Sequence, residues 1–369
     1  MSDTDLFDPC QFNGLTLQNR IVLSPLTRTR AAMDGSPGPL QATYYSQRAS
    51  AGLLITEATA VAPEGRGGAY IPGLYDDAHI AAWKLTTDAV HAKGGLIFCQ
   101  LWHAGRLSHS SLHPEGAAPV APSVLRQQGQ VFTEKGLAPY DEARALTLDE
   151  IPEVIAQFRR AAVRAKAAGF DGVELHGAHS YLIDAFVRDM TNKRTDRYGG
   201  SIENRCRLMI EILEALIEVW GPERVAVRLA PIGHAYDAWD SDPEPLFTYL
   251  VGRLNDLKVG WLDLVEGDTG ISRTCEPSFD LQKLRRLFKG ATIANNLYDR
   301  DLAIQARRDN TADLIAFGRP FIGNPDLVER LKRNAPLIDA PRAAYYGGGA
   351  RGYTDFPTLA EADGLGDGG

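Results

Sequence analysis

Eight short runs rich in valine, isoleucine and leucine recur along the chain, at residues 21–23, 53–55, 96–98, 172–175, 225–229, 261–265, 292–294 and 314–317. Each is followed by a loop and usually by a helical stretch. Runs this continuously apolar suit strands buried on both faces, hence a parallel sheet covered by helices. One helix can be argued residue by residue. Thr147 and Glu150 make a capping box, with Pro152 in the first turn. Ile151, Val154, Ile155, Phe158, Ala162 and Ala165 form one apolar stripe, and Gly169 closes the helix just before the strand at Gly172. Repeated around a ring, this unit gives an α/β fold, the (β/α)8 TIM barrel. A doubly wound sheet is the competing architecture, but its G-x-G-x-x-G turn is missing after the first strand.

Two stretches exceed the minimal barrel. Residues 8–18 read as a hairpin around Asn13-Gly14, an N-terminal plug over the barrel's bottom. Residues 101–146 form a long excursion after strand 3, rich in Pro, Gly, Ser and His and weakly periodic, expected to be a loop covering the active site. One domain over 1–362 is expected, with a disordered tail over 363–369.

Composition narrows the class. A net charge of −8 argues against nucleic acid or an anionic membrane as the main partner. No apolar run approaches the ~18 residues of a membrane span, and the start has no basic-then-apolar leader. Cys10, Cys99, Cys206 and Cys275 lie far apart with no C-x-x-C pair, which fits reduced thiols and a cytoplasmic location.

In such a barrel the chemistry sits where strands end. Strand 4 runs into His176-Gly177-Ala178-His179-Ser180-Tyr181. Two neighbouring imidazole N–H groups can grip and polarise one carbonyl, nitro or phenolate oxygen, and Tyr181 can supply a proton nearby. An interior histidine pair tied to backbone carbonyls, or a metal site, are the other readings of H-x-x-H. Metal loses weight because the first strand ends in SPLTR rather than H-x-H. His103, His109 and His113 match no ligand spacing and read as a solvated loop. Arg228 is embedded in the apolar strand VAVRLAP, so it needs a negative partner, either an internal carboxylate or a ligand. Gly318-Arg319 and Asn295-Asn296, at the turns after strands 8 and 7, suit an anion cradle. Gln100 offers an amide to the edge of a heterocycle. Together these residues suggest a flavin mononucleotide.

The segment HGAHSYLIDAFVRDMTNKRTDRYGGSIENR resembles the signature of the old yellow enzyme family of flavoprotein ene-reductases. NRIVLSPLTRTR, LLITEATAV, QLWHAGR, AFGRPFIGNPDLVERL and YYGGGARGYTDFP match the family in its order, so the resemblance spans roughly residues 6–360. It is strongest to the bacterial branch of N-ethylmaleimide and nitrate-ester reductases. The resemblance implies non-covalent FMN, with NADH or NADPH as reductant. It places Pro25, Thr27, Ala58 and Gln100 along the flavin ring, Arg228 at its N1–C2 carbonyl edge, and Asn296, Gly318 and Arg319 at the phosphate. His176 and His179 bind the substrate's activating oxygen, Tyr181 protonates the α-carbon, and Trp102, Tyr346 and Thr27 shape the pocket. The implied reaction is hydride transfer from flavin N5 to the β-carbon of an enone, enal, maleimide or nitroalkene. Reduction of nitrate esters or nitroaromatics at the same site is the nearest alternative. The expected partners are NAD(P)H and a small electron-poor alkene or nitro compound, with no nucleic acid, membrane or metal, in a monomer or homodimer. A metal-dependent hydrolase on the same barrel, which would be colourless, and a non-catalytic flavin-binding scaffold are the competing classes. Two positions depart from the family pattern: Asn295-Asn296 where glycine is frequent, and Gly68 where a pocket tyrosine is frequent, with Tyr70 two residues away.

Overall fold

The computed structural model describes residues 4–237, 239–276 and 278–366. Eight parallel strands close into a barrel: Ile21–Leu23, Leu53–Ile55, Ile97–Trp102, Gly172–His176, Val225–Leu229, Trp261–Val265, Ala291–Asn295 and Leu314–Phe317. They pair in chain order; strand 8 returns to strand 1, and strand 3 pairs with strand 4. The apolar runs therefore land on strands as their patterning requires, because both strand faces are covered. Helices fill the connections, among them Pro39–Gln47, Ala78–His91, Ile151–Ala167, Ile202–Trp220, Pro243–Asp256 and Arg300–Arg308. Their apolar faces, such as Val154, Phe158, Ala161 and Ala165, pack on the barrel's outer surface in one large core.

The hairpin is present, Cys10–Phe12 against Leu15–Leu17, turned by Asn13 and Gly14 at positive φ. Phe12 and Leu17 enter a second core inside the barrel with Leu53, Phe98, Ala226, Trp261, Ile293 and Leu314. The Asn13 amide donates to the Gly260 carbonyl at 2.6 Å, fastening the plug to the start of strand 6.

Three local expectations change. The Glu150 carboxylate accepts the Thr147 N–H at 2.8 Å, but the Thr147 hydroxyl donates to that carboxylate instead of capping a helix N–H. The excursion is not a plain loop. Val120–Ala121 and Leu125–Arg126 flank Glu142–Ala145, and Gln130–Thr133 pairs with Gly136–Pro139. Strands of two to four residues are too short to show a period-2 pattern. Finally, residues 363–366 of the expected tail belong to the helix Leu359–Gly366, while 367–369 lie outside the described residues. No helix among the described residues is long and apolar enough to cross a membrane.

Candidate active site

Strand 4 delivers His176 to the barrel mouth, and the next five residues turn sharply. His179 and Ser180 both take positive φ, 59° and 65°. Side chains resist that conformation, at roughly 1–3 kcal/mol per residue, so the surroundings must hold it. The buried Asp184 carboxylate accepts the Ser180 N–H at 2.8 Å and pairs with buried Arg188 at 3.0 Å. Arg106 from the excursion donates to the Ser180 hydroxyl, and the His103 carbonyl accepts the Leu182 N–H at 3.1 Å. Gly105 permits this approach, because a Cβ there would lie 2.9 Å from the Leu182 backbone.

The turn brings three expected residues together. The His176 ring is 5.5 Å from that of His179 and 5.0 Å from that of Tyr181, both nearly perpendicular. Trp102 meets the other side of Tyr181 edge-on at 5.0 Å, in an apolar group with Ala58, Ala60 and Ile71. The excursion covers Tyr181 through Leu107, Val131 and Tyr140, in a cluster that Tyr70 also joins. Tyr346 is the outermost of the set, 60% exposed.

Burial fixes the protonation states. Desolvation, reinforced by neighbouring charge, holds His176 well below the usual imidazole value. Desolvation followed by the Arg228 and Arg188 charges brings His179 down to about 3. Both rings are therefore neutral at physiological pH. Desolvation, with Tyr236 beside it, pushes the Tyr181 phenol well above its ordinary value, so it keeps its proton. The Ala178 N–H points at His176 Nδ1, 3.3 Å away, which assigns the ring proton to Nε2. Neither His176 Nε2 nor His179 Nδ1 has a protein partner among the described residues, and neither is sealed from solvent.

Below the histidines lies a polar layer. Arg228 pairs with Asp263, its neighbour across strands 5 and 6, at 2.8 Å, and also donates to the Ser24 hydroxyl. Asn295 donates to the Asp263 carboxylate and to Ser24. The partner required of Arg228 is thus an internal carboxylate, and further guanidinium N–H groups remain without a protein partner among the described residues. Gln100 donates to Glu174 at 2.8 Å, and the other Glu174 oxygen is buried without a partner. Burial, and then the Asp263 charge, raise Glu174 to about 8. At neutral pH Glu174 holds a proton while Asp263 faces Arg228. Glu174 and Asp263 went unnoticed in the sequence, although each is a lone carboxylate in an apolar strand, GVELH and WLDLV. That is the signal that singled out Arg228. Thr269 and Tyr236, in loops without a pattern, were missed too, and Arg106 was given no role although it closes the QLWHAGR segment.

The remaining expected residues ring the mouth. Pro25 and Thr27 are half-buried, Ala58 is buried, and the Thr27 hydroxyl has no partner among the described residues. Gly318 caps the short helix Arg319–Gly323. Exposed Arg319 has no acidic partner among the described residues and lies across Gly270, where a Cβ would sit 2.2 Å from its Nη2. The Asn296 side chain is spent within the protein. Its amide donates to the carbonyls of Glu266, Asp268 and Ser272 at 2.6, 3.1 and 3.0 Å, and its oxygen accepts the Gly270 N–H at 2.7 Å. A phosphate finds no free side-chain group there. Nor is the 103–113 segment a solvated histidine loop. His103 and His113 are buried, and His103 Nδ1 accepts the Gly105 N–H. Among the described residues His176 and His179 join no set of three metal-ligating groups; the one such set, His234, Asp268 and Cys275, lies at the rim.

Comparison with known proteins agrees with this layout. The family model described as NADH:flavin oxidoreductase / NADH oxidase matches residues 5–337. The 12-oxophytodienoate reductase 7 of Oryza sativa subsp. japonica is 42% identical, over 96% of this chain and 95% of its own length. Morphinone reductase, solved with tetrahydroNAD, superimposes with a TM-score of 0.91 at 47% identity, covering 96% of this chain and 97% of its own. An old yellow enzyme homologue from Zymomonas mobilis gives 0.92 at 45% identity, covering 96% and 100%. The chain therefore belongs to the NADH:flavin oxidoreductase / NADH oxidase family, as an FMN-dependent, NAD(P)H-using ene-reductase of the old yellow enzyme type.

Proposed function

We propose that this enzyme reduces the C=C bond of alkenes activated by a carbonyl, imide or nitro group. His176 and His179 grip the activating oxygen, and Tyr181 supplies the proton. The observation that carries this reading is the contact of His176 with both His179 and Tyr181, in the protonation states the chemistry needs, two neutral imidazoles and one un-ionised phenol. Each imidazole has one open ring nitrogen. Two N–H donors on one oxygen draw electron density out of the alkene and leave its β-carbon electrophilic. Preorganised donors of this kind are commonly worth about 3–4 kcal/mol each. When bound, FMN supplies the hydride that NAD(P)H has provided. The β-carbon gains that hydride, the α-carbon gains the Tyr181 proton, and solvent returns a proton to Tyr181. A phenol held well above its ordinary pKa does not lose that proton to bulk water beforehand.

The donor set fits FMN. Arg228 is a buried cation with unspent N–H groups, suited to the electron-rich carbonyl edge of the ring, and Asp263 beneath it keeps it oriented. Pro25, Thr27, Ala58 and Gln100 line the same mouth. Gly318 and Arg319 take the phosphate, where an arginine without an acidic partner is what a phosphate requires. Trp102 and Tyr346 wall the substrate space. The relatives' names point the same way, one being a reductase of 12-oxophytodienoate and one of morphinone.

The test is His176→Ala. Alkene-driven reoxidation in stopped-flow should slow by about 100-fold or more, with weaker binding of a phenolic ligand. Wild-type rates and affinity would contradict the assignment.

A further inference from the structure

A neutral imidazole carries one proton, and the partner of one ring nitrogen decides whether the other can donate. His176 is fixed by the Ala178 backbone N–H, a group that can only donate. His179 is fixed differently. Its Nε2 lies 2.8 Å from the hydroxyl of Thr269, which can donate or accept. Among the described residues that hydroxyl has no other partner. If Nε2 held the proton, Nδ1 would present a lone pair to the mouth and repel a substrate oxygen.

Thr269 is not placed by chance. It belongs to the loop after strand 6, whose carbonyls at Glu266, Asp268 and Ser272 all converge on the Asn296 amide. Gly270, the next residue after Thr269, donates its N–H to the same side chain. Asn296 holds a φ of 103° to do so, a conformation that strains any residue with a Cβ. A glycine would adopt that backbone more easily and could make none of these four bonds.

We infer that Thr269 is a positioning residue, whose hydroxyl donates to His179 Nε2 and so keeps the proton on Nδ1, and that Asn296 holds Thr269 in place. This rests on the reading of His179 as a donor to the substrate oxygen. The two can be told apart, because the tautomer is read without any substrate.

The experiment is a long-range proton–nitrogen NMR correlation of the FMN-loaded enzyme labelled with 15N-histidine, which has eight histidines to assign. His179 should show a protonated Nδ1 and a bare Nε2. In Thr269→Val the Nε2–H form should appear, p-hydroxybenzaldehyde should bind about tenfold more weakly, and KM for the alkene should rise more than kcat falls. Thr269→Ser should restore all three. Asn296→Gly, with Thr269 intact, should give a mixture of tautomers. A protonated Nε2 in the wild type overturns the proposal even if no variant folds, as does a Thr269→Val spectrum identical to wild type. A wild-type tautomer in Asn296→Gly overturns the role of Asn296. If His176→Ala leaves phenol binding intact, the oxygen-gripping reading fails while the tautomer assignment stands.

Discussion

Along strands 3, 5, 6 and 7 the barrel interior changes character within two residues. At the amino end Leu53, Phe98, Ala226, Trp261, Ile293 and Leu314 close over Phe12 and Leu17 of the plug, a core of apolar side chains. Two residues on, because inward positions alternate, strands 3, 5, 6 and 7 present Gln100, Arg228, Asp263 and Asn295, while strands 2 and 8 stay apolar at Ile55 and Ala316. The difference teaches where stability is made and where it is given up. The lower layer gains from apolar burial. Both layers leave polar atoms buried and unpaired, Trp261 Nε1 below and Glu174 Oε2 and Trp102 Nε1 above, but the strained residues His179, Ser180 and Asn296 all lie at the upper end. Such features persist only where the rest of the fold over-determines them, and they cluster at functional sites.

Substitutions at the two ends should therefore fail in different ways. The largest effect is expected at the upper end: Tyr181→Phe should slow alkene-driven reoxidation by about 10²–10⁴-fold in stopped-flow, far more than it slows reduction by NAD(P)H. Comparable losses in both half-reactions would remove the proton-donor role. At the lower end Trp261→Ala should cost about 3–5 kcal/mol of stability in urea titrations, while the folded holoenzyme keeps its phenol affinity. A large loss of affinity there would break the division between the layers.

A smaller effect is expected from Glu174, whose pKa rises from 4.5 to about 8 on folding. Between those values the folded chain holds a proton that the unfolded chain has released, so this group makes stability fall as pH rises. Glu174→Gln should remove that component and flatten the upper part of the profile of urea midpoint against pH. Parallel profiles would show that Glu174 ionises normally. The smallest effect is a null one. With His176 held well below the usual imidazole value and His179 brought down to about 3, binding of an uncharged enone should show no inflection near 6.5. An inflection there would mean that one imidazole titrates as if exposed.

The sequence made the lower layer and the strand order legible, because strands covered on both faces must be continuously apolar and leave an unmistakable record. The strands over 21–23, 53–55, 225–229, 261–265 and 314–317 were read to the residue. The turn after strand 4 was legible for another reason, since its histidines and tyrosine stand together in the chain. What escaped was built across the chain. Asp263 meets Arg228 only through strand register, Thr269 meets His179 from a loop 90 residues away, and Asn296 spends its amide on carbonyls up to 30 residues back. The position of Asn296 in the turn was readable, and the direction of its side chain was not. The small sheets of the excursion left too short a pattern to see.

The claim on which the rest depends is that His176 and His179 jointly hold an oxygen above the flavin. It is tested most directly by titrating oxidised holoenzyme anaerobically with p-hydroxybenzaldehyde and following the visible spectrum. The wild type should develop a long-wavelength charge-transfer band as the phenolate stacks on the ring, and His176→Ala should need a far higher concentration to reach it. A band of equal midpoint in both proteins, or none in the wild type, would contradict the account.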